Sequence, residues 1–368
     1  MRKKIRESYG NRQSNGVVQK KSSRLQKVAM AGLAFALSSS VALATPIQQS
    51  FTFEDVNWTS GGVGGVGGTG EGTIEISGID GGVQRAFLYW HGIVWPSEGT
   101  YDNPTVSFEG NTVTGTMLGE GSTNCWGDGV SRAYRADVSE FVTGDGNFSF
   151  SGLAEGEDYN VNGASLIVVY EGADPDSRSD LVLFDGNDSS NPEGFAGQED
   201  GWNATLQPIN YDGGPVLAEF HVADGQTFTS GPVEFSTANG SLVIEDELDL
   251  WSGASTPTEG NSRADNGELW DIHLFDITEA FGGEAGSVAL QLQGMDGAND
   301  CKALVALALD LGSGTAPPPP ENGDPVPVPD PGESDRDAIA VPVNSSWGLA
   351  GLSLFLMFAG LLALRRRA

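Results

Sequence analysis

The sequence predicts an all-β protein: two tandem β-sandwich domains of jelly-roll type, with an N-terminal signal peptide and a C-terminal transmembrane helix. Three observations predict it. After about residue 45, segments of four to nine residues alternate apolar with polar side chains, the period of a half-buried strand. The chain holds 52 glycines, and Asp-Gly, Gly-Asn and Asn-Gly steps divide the segments as turns. A three-segment pattern also recurs at an offset near 139 residues, the distance from Asp137 to Asp276.

Taken from the N-terminus, residues 1–44 read as a secretory signal. Arg2, Lys3, Lys4 and Arg6 open a basic region, Val28–Leu43 is apolar, and Ala42-Leu43-Ala44 supplies the small residues of a cleavage site. Signal peptidase and the secretion machinery are thus expected partners. Residues 45–71 contain the glycine-rich run Gly61–Gly72. It lacks the Lys-Ser/Thr of a phosphate-binding loop, and no helical pattern follows, so the expectation is a flexible lead-in.

The repeat defines domains at 72–195 and 196–314. Tyr134–Phe141, Asn147–Gly152 and Gly163–Tyr170 of the first copy match His273–Ala280, Ser287–Gln293 and Cys301–Leu307 of the second. Asp137-Val-Ser-Glu140 and Asp276-Ile-Thr-Glu279 correspond. There a strand is expected to end at the aspartate, with the Ser or Thr hydroxyl capping a short helical turn and Phe141 or Phe281 closing the sandwich end. Ala86–His91 has a weaker counterpart in Ala218–Val222.

Outside the signal and the terminal arginines the chain carries 49 acidic residues against seven basic ones, a net charge near −42. Such a field repels nucleic acid and anionic lipid, and suits divalent cations or saline surroundings. Cys125 and Cys301 are the only cysteines. An even pair in an oxidising compartment predicts one disulfide. It would join the two copies and close a loop of about 175 residues, a constraint of roughly 5 kcal/mol in the chain-entropy account.

Chemistry-bearing motifs are sparse. The three histidines, His91, His221 and His273, fall in predicted strands; a metal site from His221, His273 and Asp271 competes there with ordinary packing. There is no Gly-x-Ser-x-Gly, and no motif pairs a cysteine with a histidine. Calcium is the one metal with candidate loops. Asp185-Gly-Asn187-Asp188 and Asp296-Gly-Ala-Asn299-Asp300 are oxygen-rich and sit at corresponding ends of the two copies, although neither matches the EF-hand pattern. Trp95, Trp126, Trp202 and Trp251 lie in or beside predicted loops, where they can stack on sugars or plug the sandwich ends.

Residues 315–340, with Ala316–Pro320 and the acidic, proline-rich stretch after it, read as an extended linker. Residues 341–368 follow: the polar motif Val341–Gly348, the uncharged apolar run Leu349–Leu364, and Arg365-Arg366-Arg367, which the positive-inside rule keeps cytoplasmic. This arrangement resembles the C-terminal sorting signals processed by exosortases, in the variant reading Ile-Pro-Thr-Leu-Ser-Glu-Trp-Gly. Pro342, Ser345, Trp347 and Gly348 match it and Val341 replaces Ile, while Val343, Asn344 and Ser346 depart. The resemblance implies an exosortase-type partner, a tail cut within or next to the motif, and transfer to the cell surface or matrix. The body resembles a poorly characterised group of exported prokaryotic β-domains. The similarity lies in Ala86–Trp90, Asp137–Ser139 and Gly163–Tyr170, and it implies a surface or secreted protein. A fainter likeness to paired jelly rolls takes in a glycan-releasing amidase as well as non-catalytic modules.

Two functional readings stand at this level. One is a non-catalytic surface or matrix protein working by display, adhesion or glycan binding, with surface polysaccharide as a partner. The other is a secreted hydrolase of glycans or glycoproteins with a carboxylate-based site.

Overall fold

The computed structural model describes residues 45–66, 69–94, 103–122, 130–153, 159–189, 201–226, 231–245, 250–253, 269–294 and 301–318. The predicted signal peptide, most of the linker, the sorting motif and the apolar run Leu349–Leu364 lie outside these residues. Among the described residues no helix is long and apolar enough to cross a membrane.

The fold is all-β, as the alternation predicts, and every strand pairing is antiparallel. In chain order the first strands are β1 (Thr45–Gly64), β2 (Gly72–Ile76), β3 (Gly82–Val94), β4 (Thr105–Phe108) and β5 (Asn111–Thr114). Next come β6 (Thr116–Ser122), β7 (Val130–Asp137), β8 (Gly146–Ser151), β9 (Tyr159–Glu171) and β10 (Ser179–Ser189). The remainder are β11 (Trp202–Tyr211), β12 (Leu217–Ala223), β13 (Val233–Ser236), β14 (Ser241–Ile244), β15 (Trp270–Asp276), β16 (Gly286–Gly294) and β17 (Ala303–Leu311). They form one nine-stranded sheet, β15-β12-β17-β10-β1-β9-β3-β7-β6, and two four-stranded sheets, β11-β16-β13-β14 and β2-β8-β4-β5.

The pairings carry the sequence repeat. β2 pairs β8 as β11 pairs β16, β3 lies between β7 and β9 as β12 lies between β15 and β17, and β4 and β5 match β13 and β14. The copies are not two separate sandwiches, however. The nine-stranded sheet runs through both, and β10, expected in the first domain, bonds to β17 of the second copy from Asp180↔Leu311 to Ser189↔Ala303.

The expected lead-in is the strand that joins them. Residues 45–56 of β1 pair with β10, and 57–64 pair with β9. Three register irregularities between Thr45 and Val56 mark bulges, which bend a strand and raise its twist. The two halves of the long sheet thereby face each other across a shared core of Phe87, Tyr89, Ile167, Leu183, Trp270 and Val305. Each half is covered on its other side by a four-stranded sheet, over one core around Trp90 and Phe108 and another around Trp202, Phe220 and Trp251. The body therefore has four β layers.

Glycines in β1 and β9 permit this closeness. A Cβ at Gly61 would lie 2.3 Å from the carbonyl oxygen of Glu75, and one at Gly163 would lie 2.5 Å from that of Val63 and 2.8 Å from Trp270. Neither backbone can yield without breaking a ladder. Gly61→Ala and Gly163→Ala are each expected to cost about 1–3 kcal/mol in denaturant unfolding, the usual penalty of overpacking. Gly82→Ala, with nothing within 4 Å of its added carbon, is the near-neutral control; equal losses at all three sites would sink the close-approach argument.

The Asp-Val/Ile-Ser/Thr step forms the same device twice, though not the expected one. Asp137 Oδ1 accepts from the Ser139 backbone N–H (3.0 Å) and hydroxyl (2.5 Å), and Asp276 Oδ1 from the Thr278 N–H (3.0 Å). The aspartate closes an Asx turn just before each 3-10 turn, whose N-cap positions, Val138 and Ile277, carry no side-chain cap. The hydroxyl instead reaches across the sheet: Ser139 Oγ accepts from Ala86 N–H and Thr278 Oγ1 from Val216 N–H, both at 2.9 Å. Hydrogen bonds from the Thr278 side chain, and then from its backbone N–H, hold the Asp276 carboxyl below its ordinary pKa. Phe281 is fully buried and Phe141 partly so, closing the two sandwich ends as expected.

Candidate functional site

The richest polar chemistry lies in the seam between the two halves of the long sheet. Residues that read as lone polar interruptions in apolar strands meet there. On β9, Ser165 interrupts an otherwise apolar run; on β12, Glu219 and His221 flank Phe220. Period-2 alternation sends Ser165, Glu219 and His221 to the seam side, and all three are buried. His221 Nδ1 is 2.8 Å from Ser165 Oγ, which also accepts from Trp270 Nε1 at 2.7 Å. Ser60 of β1 donates to Glu219 Oε1 at 2.5 Å, and that oxygen lies 3.2 Å from His221 Nε2. The last contact is close, but Nε2 makes no aligned hydrogen bond.

Ser165, His221 and Glu219 thus place a hydroxyl, an imidazole and a carboxylate in a row, as a nucleophilic relay does. The geometry opposes that use. In the relay the base takes the hydroxyl proton on Nε2 and is oriented through Nδ1; here those roles are reversed. Ser165 and His221 are each 0 % exposed, and Trp270 occupies a lone pair of the would-be nucleophile. The row stitches β1, β9, β12 and β15 together.

A second row crosses the seam toward Asp224, which follows β12. Asn162 Nδ2 donates to Asp224 Oδ1 at 2.6 Å, which turns its own Oδ1 toward His91 Nδ1, also at 2.6 Å. His91 therefore carries its proton on Nδ1. Its Nε2 and the Asn187 Oδ1 are both buried without a well-formed hydrogen bond. Burial pushes His91 down to about 4, against the opposing pull of the Asn162 and Asn187 amides. Asp224 has φ +66°, a left-handed conformation that costs a non-glycine residue energy and persists only where neighbours enforce it.

The third cluster is ionic. Arg135 of β7 forms a salt bridge to Asp185 of β10, which also accepts from Ser50 of β1 and from Tyr89 of β3 at 3.3 Å. The Arg135 guanidinium lies 4.5 Å from the centroid of Phe51, which stacks on Phe87. Burial opposes the Arg135 charge, but Asp185 and Tyr89 outweigh it and hold the guanidinium above its ordinary pKa. Burial first, then Asp185, raises the Tyr89 phenol well above 10.

These positions correct several sequence expectations. Asp185, Asn187 and Asp188 do not lie in a calcium loop but in strand β10, at a bulge opposite β17. Asp185 is committed to Arg135, the Asn187 amide donates to Ser131 and Gly119, and Asp188 accepts from the Asn203 N–H. Alternation and the bulge thus send the three to different partners. Asp296, Asn299 and Asp300 lie outside the described residues, and no group of three or more His, Cys, Asp or Glu able to hold a metal occurs among the described ones.

His221 and His273 do not converge either. His221 pairs with Ile272 in the β12–β15 ladder, so His273, one residue on, points to the opposite face. There its Nε2–H donates to the Leu250 carbonyl (2.7 Å) and the ring packs on Trp251, while Asp271 accepts from Gly253 N–H. Trp202 and Trp251 are each 1 % exposed and in edge contact with each other, core plugs rather than sugar platforms. Trp95 and Trp126 lie outside the described residues.

Cys301 is buried and in the disulfide form; Cys125 lies outside the described residues. The linker expected from 315 begins later. Asp180 Oδ2 accepts from Gly314 N–H (2.8 Å) and Ala316 N–H (3.0 Å), and Thr315 O accepts from Asn210 N–H (2.9 Å). The segment to Pro318 is thereby tied to β10 and β11. No protein-family model, curated protein or solved structure matches this chain.

Proposed function

We propose that this chain is an exported protein, displayed at the cell surface or in the matrix on a C-terminal tether, and that it works without catalysis by display, adhesion or glycan binding. The observation that carries this reading is the clamp at Asp180. It joins the start of the proline-rich stretch to the middle of the long sheet, so that load on the tail enters the body at β10, an interior strand paired on both sides. The body itself is two jelly-roll copies merged along β1 and β10, with a Cys125–Cys301 bridge between them. At the other end β1 starts at Thr45, so cleavage after Ala44 would leave the joining strand whole.

The tail is read as an address for an exosortase-type enzyme. Intact-mass analysis of surface material is expected to give a chain that starts near Thr45 and lacks Arg365–Arg367. Non-reducing peptide maps should recover Cys125 and Cys301 linked. Arginines still attached would leave a plain anchor, and free thiols would remove the bridge. Turnover of a glycan or peptide that one carboxylate substitution abolishes would favour the hydrolase instead.

A further inference from the structure

The outward faces of the two four-stranded sheets differ from the rest of this acidic protein. Exposed carboxylates crowd the turns, as at Asp80, Asp145, Asp174, Asp176, Asp212 and Glu284. The outward strand positions of the outer sheets carry one each, Glu75 and Glu234, and no lysine or arginine. Their other outward residues are almost all Ser, Thr, Asn or Gln.

The same cross-strand row stands on both faces. On the first, Ser151 of β8 is opposite Ser107 of β4, which is opposite Thr112 of β5. On the second, Gln291 of β16 is opposite Ser236 of β13, which is opposite Ser241 of β14. Each row thus uses repeat-equivalent strands in the same register, and Thr205 of β11 extends the second, donating to Gln291 Oε1 at 2.9 Å. On the first face the row borders a groove of about 560 Å³, with Thr69, Thr73, Ser107, Ser149 and Ser151 on its walls together with one carboxylate, Glu71; Ser149 donates its hydroxyl to a second, Glu109 Oε1, at 2.9 Å.

An array made mostly of uncharged donors and acceptors, with a few carboxylates that accept from hydroxyls, matches a ligand that is itself uncharged and dense in hydroxyls. The field of an exported chain near −42 works against any polyanion, whereas a neutral polymer brings no charge to desolvate or repel. The four-layer order places the rows on opposite outer sides of the body. From this we infer that each outer face binds a neutral polysaccharide, the first through its groove and the second through the equivalent row, so that one molecule bridges two strands of polymer. This rests on the surface-display reading and names its partner.

Affinity electrophoresis in gels containing dextran, galactomannan or alginate tests it with the exported protein. Migration should slow in at least one neutral polymer, equally at low and high NaCl, and not in alginate. Ser107→Glu with Ser151→Glu, and separately Ser236→Glu with Gln291→Glu, should each weaken retardation several-fold and abolish clouding of the polymer solution, which needs both faces. All four together should abolish retardation. Alanine at the same positions, with unchanged unfolding midpoints, guards against misfolding and should weaken retardation in the same order. No retardation in either neutral polymer, retardation in alginate alone, or full binding by the fourfold variant would overturn the inference. Correct surface localisation and tail processing alongside such a failure would leave the display reading standing.

Discussion

Replacing Asp185 by alanine is expected to destabilise the body by about 3–5 kcal/mol, the cost of stranding one partner of a buried ion pair. The Arg135 side chain is 17 % exposed and that of Asp185 only 6 %, so water cannot replace the lost carboxylate without opening the seam. Arg135 is also held over Phe51, and Ser50 and Tyr89 would lose their acceptor. The pair joins β7 to β10, strands that are not neighbours in the sheet, so its loss should loosen the packing of the two halves more than either half alone. Denaturant midpoints at neutral pH measure it. Arg135→Met combined with Asp185→Leu should recover most of the loss, because an apolar pair of similar size removes the desolvation penalty from both sides. A cost below about 1 kcal/mol for Asp185→Ala would show that the pair is not a structural tie.

Acid should weaken the same seam through His91. In the folded protein its ring stays neutral until about pH 4, whereas in the unfolded chain it takes a proton near its ordinary 6.5. Between those values the unfolded state binds more protons, so stability is fully present above pH 6.5 and falls as pH drops toward 4. The whole shift corresponds to about 3 kcal/mol. His91→Gln keeps an uncharged amide beside Asn162 and cannot titrate. The difference in stability between the natural protein and this variant should therefore change by about 3 kcal/mol from pH 7 to pH 4, while the carboxylates common to both cancel. A difference that stays flat across that window would assign the acid sensitivity to other groups.

Much of the fold was legible because strand formation is local. Alternation at Phe148–Phe150 or Val288–Leu292 needs no knowledge of the partner, and the Asp137 and Asp276 steps mark strand ends by short-range hydrogen bonds. The repeat was legible for the same reason, since equivalent strands need the same inward residues. Misreadings came where residue type and burial part company. Gly61–Gly64 looked like a flexible lead-in because glycine is common in loops, but here it lets β1 lie against its neighbours. Asp185-Gly-Asn-Asp188 looked like a turn because its residues prefer turns, and a partly buried arginine 50 positions away overrode that preference.

The sequence alone determined the β class, the internal duplication, the acidic balance and the two terminal signals as expectations, each resting on near neighbours or on bulk composition. Only the tertiary structure decided that β1 bridges the copies, that the polar interruptions at His91, Asn162, Ser165, Glu219 and His221 meet in one seam, and that the tail is clamped before it leaves. Those outcomes depend on which distant strands pair and in what register. Slipping a strand by one residue sends its side chains to the opposite face, and no local pattern in β1 or β12 carries that choice.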